Sequence, residues 1–126
     1  MSAERNSWQA SIYADTRLIG RDIAARLAQI LGGSVSGDRG DIVVAGGIDV
    51  DVTQNDERPP SEPVDPDDAF LYYPYDIEIF TEEAFDEKAL VGDVSALLAE
   101  LDRLGVRYVT VADFEDDLPG GGRSST

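Results

Sequence analysis

The chain contains no cysteine and no histidine, and only one lysine, one methionine and one tryptophan. Without thiols there is no disulfide, no thiolate zinc site, no iron–sulfur cluster and no cysteine nucleophile. Without imidazole, Ser-His-Asp and Cys-His machinery is excluded, together with the usual His-ligated catalytic metals. Side-chain chemistry is left to carboxylates, hydroxyls and the amine of Lys88. Long apolar runs are also missing: no stretch approaches the ~18–20 residues of a membrane span. The opening MSAERNSW lacks the cationic-then-apolar pattern of a secretory signal. The expectation is a cytoplasmic, non-catalytic protein that uses no cofactor.

Positive charge is the other scarcity. Among 126 residues, 26 acids face 10 bases, for a net charge of −16. Such a surface repels nucleic acid and anionic lipid, so neither is an expected partner. The imbalance is uneven: residues 1–58 carry 9 acids and 6 bases, residues 59–126 carry 17 and 4. The 42% apolar content argues against global disorder. Length fits one domain, here 1–113, with 114–126 read as a disordered, Gly- and Ser-rich tail.

Residues 8–14 alternate as a strand, with Trp8, Ala10, Ile12 and Ala14 on one face and Gln9, Ser11 and Tyr13 on the other. Asp15 or Thr16 can cap a helix to Leu31 with an apolar stripe of Ile19, Ile23, Leu27 and Ile30, stopped by Gly32–Gly33. Asp22 and Arg26 have the spacing of a favourable helical pair. Residues 41–45 and 48–54 read as a hairpin about Gly46–Gly47. Four prolines make 55–69 a surface loop. Residues 70–80 alternate as a strand whose Pro74 demands an edge or a bulge. A helix occupies part of 82–104, capped by Asp93 or, starting earlier, by Thr81; residues 106–112 form the last strand.

The order β-α-β-β-β-α-β predicts an α+β fold: a two-layer sandwich with a mostly antiparallel sheet and two helices on one face. It resembles a ferredoxin-like arrangement with an extra strand. The open sheet face then collects Gln9, Ser11, Tyr13, Ile42, Val44, Asp49, Asp51, Thr53, Phe70, Tyr72, Asp76 and Glu78, with no Lys or Arg. Neighbouring carboxylates without counter-charges repel. An external cation would relieve them, and the aromatics add contact area with few rotatable bonds. The candidate partner-binding residues are therefore Asp49, Asp51, Phe70, Tyr72, Asp76 and Glu78, and the expected partner is a basic protein surface.

Other constellations are weaker. Asp49 to Pro60 has a superficial calcium-loop look, but Gln54 and Pro60 stand where an EF-hand needs Gly and Glu. Asp65, Asp67 and Asp68 could hold a divalent cation loosely. Paired carboxylates acting as acid and base would need a pocket and one raised pKa. Arg17 and Arg21 could meet an anion at the first helix start, or pair with local acids such as Asp15.

The segments GVRYVTVADFEDDLPGGG (105–122) and YYPYDIEIF (72–80) resemble parts of small acidic proteins of high-GC actinobacteria. The build, a small acidic α+β domain without Cys or His, resembles immunity proteins of bacterial polymorphic toxin systems. That resemblance implies an acidic face that neutralises a basic toxin domain; no family motif transfers residue by residue. Two other function classes stand beside this one. One is an accessory or structural domain whose acidity serves solubility or a high-salt cytoplasm. The other is a divalent-metal-dependent enzyme or binding protein.

Overall fold

Period-two alternation in five segments, and a short sixth one, builds a single antiparallel sheet. The computed structural model describes residues 7–37, 40–56, 61–82 and 85–124. Its strands are β1 (Ser7–Asp15), β2 (Ser34–Ser36), β3 (Ile42–Ala45), β4 (Ile48–Gln54), β5 (Tyr75–Thr81) and β6 (Arg107–Ala112), and its helices are α1 (Gly20–Leu31) and α2 (Glu87–Arg103). Spatial order is β2-β3-β4-β5-β1-β6, with every neighbouring pair antiparallel. Strand β5 thus lies between β1 and β4, and β1 between β5 and β6. This interleaving of two split helical crossovers is the ferredoxin-like pattern, extended at one edge by β2 and β3. The α+β sandwich expected from the sequence is the one observed.

One sheet face and both helices share a core that includes Ile12, Val43, Val50, Ile77 and Ile79 from the strands, Ile23 and Leu27 from α1, and Val94, Leu97 and Leu101 from α2. The hairpin register matches the sequence reading, with Ala45 opposite Ile48 and Val43 opposite Val50. Gly46 and Gly47 both take positive φ, the backbone a two-residue hairpin turn requires.

Several elements depart from the sequence reading. Helix α1 starts at Gly20 with Ile19 as a cap that makes no side-chain bond, while the Thr16 hydroxyl accepts from Leu18 N at 3.1 Å in the turn before it. Its buried face is Ile23, Ala24, Leu27 and Ala28; Ile19 and Ile30 are exposed. The small alanines let α1 lie close on the sheet, which rotates the two outer isoleucines into solvent. Arg26 reaches across to Glu100 on α2, at 3.9 Å, and no bond to Asp22 appears. Helix α2 is capped by Asp86, whose carboxylate accepts from Ala89 N at 3.3 Å, so Asp93 lies inside the helix. Glu100 is buried between the helices and takes the Arg103 guanidinium at 2.8 and 2.6 Å. That pairing holds its carboxyl below the ordinary range.

Pro74 sits just before β5, not within it, and its carbonyl accepts from Asn55 N at 2.8 Å. Strand β5 is consequently central. Residues Pro66–Tyr72, expected to be loop and strand, form a 3-10 turn capped by Asp65, whose carboxylate accepts from Asp67 N.

The C-terminus also differs from the expectation of a disordered tail beginning at 114. Residues Glu115–Asp117 form a short 3-10 turn and Pro119–Gly122 a tight turn whose glycines take positive φ, and the segment buries Phe114 and Leu118 in the core. Tyr108 and Ser124 exchange hydrogen bonds of 3.0 Å, with Ser124 N donating to the Tyr108 carbonyl and Tyr108 N to Ser124 Oγ. The chain end thereby covers the open edge of β6. Residues 125 and 126 lie outside the described residues.

Candidate protein-interaction face

Cross-strand register fixes which residues share the sheet face opposite the helices. One row runs Val44, Asp49, Phe80 and Trp8. The next runs Ile42, Asp51, Glu78, Ser11 and Val111. The third runs Thr53, Asp76, Tyr13 and Val109. Asp51 and Glu78 are direct cross-strand neighbours, with Asp49 and Asp76 on the flanking rows. All four are half-buried.

Geometry raises the proton affinity of three of them. Burial lifts the Asp51 carboxyl above its ordinary 3.8, and Asp49 and Asp41 add to the effect. Burial lifts Glu78 above 4.5, followed by the charges of Asp76 and Asp51. Asp76 is raised by burial against a lowering hydrogen bond from Ser11, and its Oδ1 is buried with no hydrogen-bond partner. No Lys or Arg among the described residues forms an ion pair with Asp51, Asp76 or Glu78. The basic side chains registered on this face are Arg107, opposite Asp15, and Arg123, bridged to Val109. Both lie at the β6 edge of the sheet, and Arg107 is three strand spacings across and two rows along from Asp51, roughly 20 Å away, beyond the ~8 Å screening length at physiological salt.

The aromatic candidates reach the face by another route. Phe70 and Tyr72 belong to the 3-10 turn, which folds back over β1 and sets the Phe70 ring edge-on to Tyr13, centroids 5.4 Å apart. Between turn and sheet lies a recess of about 410 Å³ lined by Tyr13, Asn55, Leu71, Tyr72 and Asp76. Asn55 Nδ2 donates to the carbonyls of Leu71 (2.7 Å) and Tyr73 (2.9 Å), tying β4 to the turn and fixing the rim.

The sequence reading left Phe80, Val109 and Val111 out of the face, and strand parity placed Trp8 on the wrong side. A bulge between Trp8 and Ala10 reverses the alternation at the start of β1. Trp8, expected in the core, therefore sits on the outer face, 45% exposed, with its indole N–H donating to Ser11 Oγ at 3.1 Å. Gln9, expected on the outer face, instead lines a recess with Thr81, Phe85 and Phe114. Val111 and Val44, 38% and 43% exposed, complete an apolar margin around the acids.

The other constellations of the sequence do not converge. Asp67 and Asp68 are exposed on the 3-10 turn, and no group of three or more acids among the described residues is arranged to hold a metal ion. Arg21 lines a recess at the start of α1 together with Asp41 and Asp56, a setting that disfavours an anion. Among the described residues no helix is long and apolar enough to cross a membrane.

The raised carboxyls predict a pH dependence of stability. The folded state binds more protons than the unfolded chain between the ordinary values, 3.8 and 4.5, and the raised ones. The destabilisation is thus fully present above the raised values and is relieved as pH falls through them. Glu100 works the other way, because its stabilisation is lost as pH falls below 4.5 through its lowered value. Thermal melts should show stability rising as pH falls from neutral through the raised values, before it declines below about 4.5. Asp51→Asn with Glu78→Gln should flatten that rise and add roughly 0.2–1 kcal/mol at pH 7. No protein-family model, no curated protein and no solved structure matches the chain.

Proposed function

We propose that the chain is a non-catalytic, cytoplasmic interaction module whose outer sheet face binds a basic surface on another protein. The observation that carries this reading is the half-buried carboxylate cluster of Asp49, Asp51, Asp76 and Glu78, in which burial raises three of the pKa values and repulsion between the acids adds to it at Asp51 and Glu78. A cationic surface seated on it would turn that repulsion into attraction, and the exposed Trp8, Val44 and Val111 would supply apolar contact at the margin. An immunity-type inhibitor, covering a basic toxin domain, is one concrete form of such a module.

Acidity alone supports several surfaces, because Asp113, Asp116 and Asp117 are also exposed. Amide shifts on titration with an arginine–glycine repeat peptide at low salt separate them. The reading expects the largest shifts at Asp49–Thr53, Phe70–Tyr72 and Asp76–Phe80. Shifts concentrated at Asp113–Asp117, or spread evenly over every acidic segment, would remove the face from its role.

A further inference from the structure

We propose that the recess between the 3-10 turn and the sheet, lined by Tyr13, Asn55, Leu71, Tyr72 and Asp76, is the anchor pocket that receives an arginine side chain of the partner. The inference rests on the binding-face reading and names the group that would be recognised there.

The recess lies at the end of the carboxylate cluster and has a volume of about 410 Å³. That is within the ~300–1,000 Å³ range of ligand pockets and ample for one extended side chain. Its walls are two tyrosines and a leucine, and its charge is the single carboxylate of Asp76. Aromatic walls beside one carboxylate attract a cation through ring quadrupole and charge together. A planar guanidinium stacks on a ring while its N–H groups point in-plane at a carboxylate, whereas a compact, strongly hydrated ammonium cannot do both.

Asp76 is set up for this role by its neighbours. The Trp8 indole donates to Ser11 Oγ, and Ser11 stands beside the Asp76 carboxylate and partly offsets the effect of its burial. Its Oδ1 is buried without a partner, so the carboxylate carries an uncompensated charge in a partly desolvated place. A guanidinium in the recess would offset that charge. The rim does not have to rearrange to admit it, because the Asn55 bonds to Leu71 and Tyr73 already hold turn and strand together. Hot-spot arginines in well-formed pockets are a recurrent way for an interface to concentrate its affinity.

The test compares the arginine–glycine peptide with its lysine and citrulline counterparts, by NMR and calorimetry, on wild type, Tyr72→Ala, Tyr72→Phe and Asp76→Asn. The arginine peptide should move the ring resonances of Tyr13 and Tyr72 and bind more tightly than the lysine peptide. Tyr72→Ala and Asp76→Asn should each weaken it about tenfold, and Tyr72→Phe, which keeps the ring, by much less. The citrulline peptide should leave the rings unmoved. If the peptide shifts β4 and β5 amides but Tyr72→Ala and Asp76→Asn bind as wild type, the anchor pocket is wrong and the face stands. If no peptide shifts that face, both fall.

Discussion

A chain ended after Asp113 should lose most of its stability. The segment beyond it contributes Phe114 and Leu118, 5% and 4% exposed, to the same core that the helices fill. Removing a buried Phe or Leu side chain typically costs about 2–5 kcal/mol, against a total stability of about 5–15 kcal/mol for a domain. The truncation also uncovers the β6 edge, where Ser124 and Arg123 pair with Tyr108 and Val109. The single variant Phe114→Ala isolates the packing contribution and should cost about 3–5 kcal/mol, or roughly 10–20 °C in Tm. Thermal and urea melts read both variants directly. A truncated chain that melts with the full one would mean that 114–124 is no part of the core.

The second large effect concerns association. Asp51→Lys together with Glu78→Lys exchanges one like-charge cross-strand pair for another, so the fold keeps its register, while the neighbouring Asp49 and Asp76 attract the new lysines instead of repelling. The field offered to a cationic partner is reversed at its centre. Association of the arginine–glycine peptide at low ionic strength should slow by about 10–100-fold. At high salt, where screening falls to a few ångströms, wild type and variant should converge. Asp116→Lys with Asp117→Lys is the informative control, since it changes net charge by the same amount on the exposed turn after β6. A small effect there and a large one at Asp51 and Glu78 separates a placed cluster from overall acidity. Equal slowing by both pairs would reduce the interaction to net charge.

Much of this face was legible because strand parity depends only on spacing. Asp49, Asp51, Asp76 and Glu78 alternate with Ile48, Val50, Ile77 and Ile79, and burial of the apolar set obliges the acids to the other side. The Gly46–Gly47 turn then fixed the hairpin register. Parity fails wherever an extra residue enters a strand, and the bulge before Ala10 did this without any local signature in SWQAS, so Trp8 changed sides. Phe70 and Tyr72 were misassigned for a related reason. Alternation runs unbroken through Pro74, yet the Asp65-Pro66 pair caps a 3-10 turn that reaches Tyr72, and β5 begins only at Tyr75. The turn brings both aromatics to the face from outside the sheet.

Short and composition-masked elements were the remaining losses. Strand β2 has only the residues Ser34, Val35 and Ser36, too few to show a period, and pairing with β3 is what makes it a strand. At the C-terminus the apolar anchors Phe114 and Leu118 stand among four acids and three glycines, a composition that reads as tail. Gly120, Gly121 and Gly122 all take positive φ. They are there to let the chain turn back on β6, and flexibility was the wrong inference from them.

The claim that a cationic surface seats on this cluster has a direct physical signature. A cation beside a carboxylate whose pKa burial and repulsion have raised must lower that pKa, by the linkage between proton and ligand binding. Carboxyl-carbon resonances of Asp51, Asp76 and Glu78, followed against pH with and without the arginine–glycine peptide, measure it residue by residue. The account predicts midpoints above the ordinary 3.8 and 4.5 in the protein alone, and a downward shift of all three in the complex. Midpoints that stay where they were when the peptide binds would contradict it, because the cation would then be sitting elsewhere.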